Sequence, residues 1–214
     1  QKILCDGCLG EIKYYESHFD RYRPVVRQRW READIPGAGI WYDLGPHVID
    51  QVLQYFGKPT GITVDLGIIR PGAQAVDYFH AMLEYGDKKV VLHSTTLAAA
   101  PMPIYTIHGM QGSYVKYGLD TQEDALKGGA IPQGEHWGED PNLGIVTLSQ
   151  GDDMVSKPWP NEKGNYGGYY DAIHDAIRLG KPNPVTPNEA IDIMKLIEAG
   201  IASAQQKRTI ENIF

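Results

Sequence analysis

Residues 76–96 read VDYFHAMLEYGDKKVVLHSTT and carry the clearest indication of the fold class. Two runs rich in β-branched and aromatic residues flank Gly86-Asp87, a dipeptide typical of tight turns between antiparallel strands. The segment therefore predicts a β-hairpin with strands over residues 76–85 and 89–96.

Further short runs of the same kind extend the predicted sheet on both sides of the hairpin. They cover residues 11–19, 62–69, 105–109 and 113–117. Because tight links make neighbouring strands antiparallel, we expect a mostly antiparallel sheet. The polar stretch that follows is compatible with a short helix over 121–127 and a peripheral hairpin over 145–148 and 153–156.

Apolar residues at helical spacing predict three helices. The first covers residues 41–56, and Pro46 requires it to begin near Asp43 or Leu44, because proline is tolerated in the first turn of a helix. The second extends from Tyr166 to Gly180, and the third follows Thr186-Pro-Asn-Glu, which has the pattern of a capping box.

These elements predict an α+β fold in which an open, mostly antiparallel sheet is backed on one face by the first helix and the two final helices. A chain of 214 residues with 42% hydrophobic and 22% charged content fits one domain over residues 1–214. The other face of the sheet remains free. We expect that face to be apolar and to pair with another copy, giving a homodimer or higher homo-oligomer.

Composition argues against several classes of partner and compartment. The net charge of −7, with no basic stripe along the chain, disfavours nucleic acid as a partner. No apolar run approaches the ~18 residues that cross a bilayer, and no secretory signal pattern is present, so no membrane partner and a cytoplasmic location are expected. Cys5 and Cys8 are too few for a zinc site and are interpreted as free thiols in a reducing compartment.

Asp43 and His47 are four residues apart and share one face of the first predicted helix. A carboxylate beside an imidazole fixes its tautomer and prepares it to exchange a proton with a substrate hydroxyl. Spacing alone favours a structural interpretation, in which Asp43 caps the helix and His47 is a partly buried partner, because ion-paired histidines are commoner than catalytic ones. A metal site is not expected, because strand alternation would scatter His80, His93 and His108 between faces.

Residues 39–50, GIWYDLGPHVID, resemble the G-x-x-x-D-x-G-x-H-x-x-D signature of the glucose-fructose oxidoreductase, inositol dehydrogenase and rhizopine-catabolism (Gfo/Idh/MocA) family. Gly10-Glu-Ile, the arginine-rich segment before the signature, the hairpin over 109–117 and the helix after Asn165 follow in the family's order. The resemblance covers nearly the whole chain as the family's C-terminal substrate and oligomerisation domain.

The resemblance implies roles for particular residues. Asp43 and His47 resemble the catalytic pair, with His47 exchanging the hydroxyl proton while hydride moves to or from the nicotinamide. His18, Asp20 and Arg21 resemble substrate-hydroxyl ligands, although a solvated charged strand edge is an equal interpretation. The implied reaction is reversible oxidation of the CH–OH group of a sugar, polyol or inositol.

The chain departs from the family where the cofactor would bind. No G-x-G-x-x-G turn is present: Gly37-Ala-Gly39 comes nearest, but Tyr42 replaces the third glycine, so no cofactor-binding residue is expected. The family's Glu-Lys-Pro motif is also missing. Since the chain begins at Gln1, we expect a fragment whose N-terminal Rossmann domain binds NAD or NADP in the full-length enzyme, and which is inactive alone.

Two alternatives from other classes stay open. One is a non-enzymatic ligand-binding or assembly module without a cofactor domain. The other is a cofactor-free lyase or isomerase that uses Asp43 and His47 for proton transfer.

Overall fold

The computed structural model describes residues 2–214; Gln1, on which the fragment expectation rests, lies outside the described residues. The helices are α1 (Lys2–Asp6), α2 (Ile40–Phe56), α3 (Gln122–Lys127), α4 (Tyr166–Leu179) and α5 (Pro187–Gln206), with a 3₁₀ turn over Trp30–Glu32. The strands are β1 (Ile12–His18), β2 (Gly61–Gly67), β3 (Tyr78–Tyr85), β4 (Lys88–Thr95), β5 (Tyr105–Gly109), β6 (Gly112–Lys116), β7 (Gly144–Gln150), β8 (Asp153–Trp159) and β9 (Ile210–Glu211).

All the strands form one open sheet in the order β8-β7-β6-β5-β1-β4-β3-β2-β9. The predicted hairpin is confirmed as β3 and β4, with Tyr85 opposite Lys88, and the α+β, mostly antiparallel class is confirmed with it. β1 lies in the middle and pairs in parallel with β4, an arrangement that local turn patterns did not predict. β7 and β8 extend the main sheet at one end, so the expectation of a peripheral hairpin understated their role.

The core lies between one face of the sheet and the helices α2 and α5. Trp41 is 1% exposed, donates its indole N–H to the Ile197 carbonyl at 3.0 Å and meets Phe79 edge to face. The predicted start of α5 is confirmed, because Thr186 and Glu189 form a complete capping box. This layer therefore holds α2 against the sheet and fixes the direction in which its first turns point.

The helix α2 begins earlier than the sequence predicted, because contacts with the backbone of Val76, rather than Pro46, set its start. Ile40 donates its backbone N–H to the Val76 carbonyl at 2.7 Å, and Gly39 lies so close to Val76 that a Cβ there would clash with its backbone. Pro46 consequently lies in the second turn of α2, where it removes one helical hydrogen bond.

The expectation that both final helices back the sheet is wrong for α4. No residue of α4 is buried, and Tyr170 and Ile177 are 72% and 77% exposed. The amphipathic pattern of this helix correctly predicted a helix ended by Gly180, which adopts a left-handed conformation. Such a pattern indicates that one face is apolar but does not identify what covers that face.

The free face of the sheet is also more polar than expected. Strand alternation places Tyr14, Glu16 and His18 of β1 on this face, beside His80 of β3 and His93 of β4. Exposed apolar side chains also lie on this face, namely Met82 of β3 at 49%, Ile145 of β7 at 43% and Met154 of β8 at 72%. The free face therefore combines polar and apolar side chains and is not apolar throughout, contrary to the expectation from the sequence. In the described range 2–214, no helix has the length and apolar content needed to cross a membrane.

Gly200 on α5 gives a test of the α2–α5 packing. A methyl group at Gly200 would overlap the indole ring of Trp41, so we expect Gly200→Ala to lower the free energy of unfolding by about 1–3 kcal/mol. Gly167→Ala on α4 is the matched control: its methyl group meets only Asn165 at 3.5 Å. It should change stability by no more than about 1 kcal/mol, in the stabilising direction. Urea unfolding measures both, and equal effects would contradict the packing described here.

Candidate active site

Asp43 lies in the first turn of α2, at the edge of a cleft lined by arginines. Its carboxylate accepts a hydrogen bond from Nε of Arg31 at 3.0 Å, and Arg31 in turn lies over the ring of Trp30. Both side chains are partly exposed, Asp43 at 29% and Arg31 at 45%. An ion pair so open to water is worth only about 0–1 kcal/mol, so either partner is free to exchange it for a ligand.

His47 lies one helical turn after Asp43 and is exposed to solvent. The centroid of its ring is 6.1 Å from that of Phe19. The guanidinium of Arg21 lies over the same Phe19 ring, 5.1 Å from its centroid. Within residues 2–214, no hydrogen bond joins Asp43 to His47, because the Asp43 carboxylate faces Arg31 instead. The two side chains thus share one accessible surface without forming the pair that the sequence suggested.

The cleft carries a local excess of positive charge. Its lining includes two carboxylates, Glu32 and Asp43, and five arginines, namely Arg21, Arg23, Arg29, Arg31 and Arg70. The chain as a whole has a net charge of −7, so this concentration of arginines is a local feature. Burial, followed by the like charges of Arg21 and Arg29, lowers the pKa of Arg23. A ligand with anionic or electron-rich oxygens would relieve that repulsion.

The buried Arg70 holds the arginine-rich segment, residues 23–32, against the sheet. It is 5% exposed and binds Asp77 at 2.8 Å, Glu32 at 3.1 Å and the Arg23 carbonyl at 2.9 Å. Asp77, at 1% exposed, also accepts the backbone N–H groups of Ile69 and Arg70. Each buried charge is therefore paired and hydrogen-bonded, as burial requires, and the network fixes residues 23–32 against the sheet.

Glu32 accepts three hydrogen bonds in this network, from Arg27, Arg29 and Arg70. Burial alone would raise its pKa, but the backbone N–H of Arg27, the side chain of Arg29 and the charge of Arg70 together hold the pKa of Glu32 below its ordinary value. A group whose pKa is lowered by folding stabilises the protein above its unfolded pKa. That contribution disappears as the pH falls through the lower, folded-state pKa.

We therefore expect Glu32→Gln to reduce the free energy of unfolding by about 1–3 kcal/mol near pH 7, the cost of losing hydrogen bonds to charged groups. The difference from wild type should shrink as the pH falls below the ordinary glutamate value of 4.5. Urea unfolding from pH 7 to pH 3 measures it. Glu84→Gln, which removes an exposed carboxylate, is the control, and a Glu32→Gln effect that grows on acidification would contradict the assignment.

The structure separates the three residues that resembled substrate ligands. Arg21 lines the cleft beside Asp43. His18 instead lies on the free face of the sheet, where its two ring nitrogens lie 2.9 Å from Asp20 and 2.8 Å from Glu16. Burial lowers the pKa of His18, but the hydrogen bonds to Asp20 and Glu16 outweigh this and raise it above its usual value. Only Arg21 is thus placed with Asp43 and His47.

The expected scatter of histidines between the faces of the sheet is wrong. His93 of β4 pairs directly with His80 of β3 and with His18 of β1. His108 pairs with Tyr14, which lies four residues before His18 on the same face of β1. Residues that are opposite each other in a register share a face, so all four imidazoles lie on the free face. His47 lies on the other side with α2.

Sequence reasoning missed Arg31, Arg70 and Asp77. Asp77 stands between Val76 and Tyr78 in a segment predicted as a strand, and a lone acid in such a run signals a buried partner. Nothing local identified Arg70 as that partner. Cys5 and Cys8 are free, as expected, and burial followed by the neighbouring Asp6 raises the pKa of Cys8.

The N terminus of α2 does not fit the pyrophosphate of a dinucleotide. The N terminus of α2, which follows Gly37-Ala-Gly39, is the place to test, because helix N-termini bind phosphates through free backbone N–H groups. The N–H of Ile40 is already bonded to Val76, and the Asp43 carboxylate in the first turn would repel an anion there. The described residues offer no such phosphate cradle at α2.

Comparison with known proteins identifies the family. The model of the oxidoreductase family C-terminal alpha/beta domain, Gfo/Idh/MocA, matches residues 1–211. This chain belongs to the Gfo/Idh/MocA oxidoreductase family. The resemblance drawn from residues 39–50 is thereby confirmed.

Several Gfo/Idh/MocA relatives match over almost the whole chain. The oxidoreductase YdgJ of Escherichia coli is 52% identical over 97% of this chain and 60% of its own length. The scyllo-inositol 2-dehydrogenase (NADP(+)) IolW of Bacillus subtilis is 41% identical over 98% of this chain and 59% of its own length. The chain spans about 60% of the length of these curated relatives.

Solved structures of Gfo/Idh/MocA proteins show the same fold. An oxidoreductase from Yersinia pestis superimposes with a TM-score of 0.92 at 56% identity, covering 98% of this chain and 59% of that one. The oxidoreductase yvaA from Bacillus subtilis gives a TM-score of 0.93 at 40% identity, covering 98% and 61%. The nine-stranded sheet with its two packed helices is therefore the family's architecture.

Proposed function

We propose that this chain is the substrate-binding and oligomerisation domain of an NAD(P)-dependent oxidoreductase that acts on the CH–OH group of a sugar, polyol or inositol. The observation that carries the proposal is the surface where Asp43 and His47 both reach solvent beside the arginine cleft. The relative IolW, a scyllo-inositol 2-dehydrogenase (NADP(+)), supports both the substrate class and the cofactor.

The small size of the cleft supports a substrate site that is completed by a second protein surface, which forms its other wall. Its cavity volume is about 20 Å³, room for little more than a water molecule and far too small for a sugar. A substrate would therefore bind against the mouth of the cleft, between this chain and another surface. We assign the dinucleotide and that second wall to a Rossmann domain of the full-length protein, as membership of the Gfo/Idh/MocA family implies.

In the proposed reaction, this chain supplies proton transfer and orientation. His47 is exposed and can take the proton of the substrate hydroxyl on its free ring nitrogen. Asp43 is within one helical turn, and its exposed contact with Arg31 is weak enough to be exchanged for the imidazolium that forms. Arg21 and Arg31 would then donate hydrogen bonds to the remaining substrate hydroxyls.

Replacing His47 tests the proton-transfer role. In the full-length protein, His47→Ala should lower kcat by about 10²–10⁴-fold, the usual contribution of a general acid or base, while dinucleotide affinity stays unchanged. Turnover is followed by the absorbance of the reduced nicotinamide, with scyllo-inositol as the first substrate. His174→Ala on the exposed helix α4 is the control. Equal activity of the His47 variant and wild type would refute the assignment.

We further propose that the free face of the sheet joins two copies of the chain. The middle of that face is mixed, since tyrosines and histidines lie there beside Val91 and Met82. Aromatic and amphipathic side chains of this kind are enriched in protein interfaces. Met82, exposed near the centre of β3, would be one of its apolar anchors.

A charge at Met82 should therefore break the assembly. We expect wild type to have at least a dimeric mass by light scattering at micromolar concentration, and Met82→Glu to shift toward the monomer. Ile177→Glu on α4, which is 77% exposed and lies off the sheet, should leave the mass unchanged. A monomeric wild type would count against an interface on this face.

A further inference from the structure

A second cluster of chemistry-bearing side chains lies on the opposite side of the sheet from Asp43 and His47. It consists of His18 at the end of β1, Asp20 two residues later, and His93 of β4. Each offers one ligand atom, and these three atoms all lie within 4.8 Å of one another. The parallel register that sets His18 directly opposite His93 brings them together.

His93 lacks the hydrogen bonds that an imidazole in this position needs. Its Nδ1 is buried and has no partner among the described residues, and its Nε2 is 3.6 Å from the nearer Asp20 oxygen, beyond hydrogen-bonding distance. The side chain is only 16% exposed. Nε2, the nitrogen that faces Asp20, is therefore available to a ligand, whereas an ion bound there would not satisfy Nδ1.

The distances in the cluster match the spacing of ligands around a small cation. Two ligands at about 2.0–2.1 Å from a tetrahedral metal are separated by roughly 3.4 Å. His18 Nδ1 is 2.9 Å from one Asp20 oxygen, and His93 Nε2 is 3.6 Å from the other. Since all three ligand atoms lie within 4.8 Å of one another, shortening the longest separation by at most about 1.4 Å would place all three around one ion.

Outer contacts already orient two of the three ligands. His18 directs its other nitrogen, Nε2, to Glu16 at 2.8 Å, and Glu16 also accepts the Tyr14 hydroxyl at 2.7 Å. Asp20 accepts the Thr95 backbone N–H at 2.9 Å. A carboxylate behind a ligating histidine fixes its tautomer and ring orientation, and metal sites in proteins commonly have such partners.

We propose that His18, Asp20 and His93 bind a divalent first-row transition-metal ion on the free face of the sheet. Two imidazoles and one carboxylate suit Zn²⁺ and its neighbours in the series better than Mg²⁺ or Ca²⁺, which prefer all-oxygen ligands. The ion links β1 to β4, two strands that are distant in sequence. The site is separate from the proposed oxidoreductase surface, and its occupancy does not depend on that function.

Titration of the metal-stripped protein with Zn²⁺, followed by calorimetry, tests the proposal. We expect one site per chain, and a Kd raised by about 100-fold or more in both His93→Gln and Asp20→Asn, since each variant removes a metal ligand. His108→Gln is the matched control, because His108 lies on the same face but is bonded to Ser113 at 2.8 Å. It should bind Zn²⁺ as wild type does.

Two further readouts exclude an adventitious surface ion. Zn²⁺ should raise the thermal midpoint of wild type and of His108→Gln but not that of Asp20→Asn. The Asp20→Asn variant keeps an oxygen that accepts the Thr95 N–H, so it should fold even where His93→Gln does not. Co²⁺ in the same site should give a visible absorption band that both ligand variants lose. Absence of stoichiometric binding, or equal loss in the His108 variant, overturns the proposal.

Discussion

The burial of Trp41 between the sheet and α5 is the constraint on which the candidate active site depends. The indole is held on one side by the Ile197 carbonyl, on another by Phe79, and it passes so close to Gly200 that no larger residue fits there. Asp43 comes two residues after Trp41 and His47 one helical turn after Asp43. The buried Trp41 fixes the orientation of α2 and therefore the direction in which both side chains point. The arginine segment then meets Asp43 only because Gly39 allows α2 to start directly against Val76.

The fold could be predicted from the sequence wherever a pattern is local. The hairpin around Gly86-Asp87, the capping box at Thr186 and the left-handed Gly180 depend on neighbours within a few residues, and the structure confirms each of them. The sequence contains no comparable local pattern that predicts contacts between distant segments. The parallel pairing of β1 with β4 joins residues about seventy positions apart, and the start of α2 depends on a backbone contact with Val76.

The candidate site shows the same division between local and distant information. Helical spacing placed Asp43 and His47 on one face of α2, and the structure keeps them there. Helical spacing could not show that the Asp43 carboxylate would bind Arg31 rather than His47. Nor could it show that Asp77 and Arg70 would fix the arginine-rich segment against the sheet. Side-chain partners of this kind are set by tertiary packing, which periodicity does not encode.

Alternation along β1 is what divides the chemistry of this domain in two. Phe19 turns toward α2, where it lies between Arg21 and His47, whereas His18 turns to the free face and meets Glu16, Asp20 and His93. The sequence HFDR therefore serves two surfaces with adjacent residues. A strand side chain cannot change faces without shifting the register of the whole strand. A substrate at the cleft and a ligand at the histidines would therefore contact separate side chains. Each surface can then be altered by substitution without removing the other, provided that β1 keeps its pairing with β4.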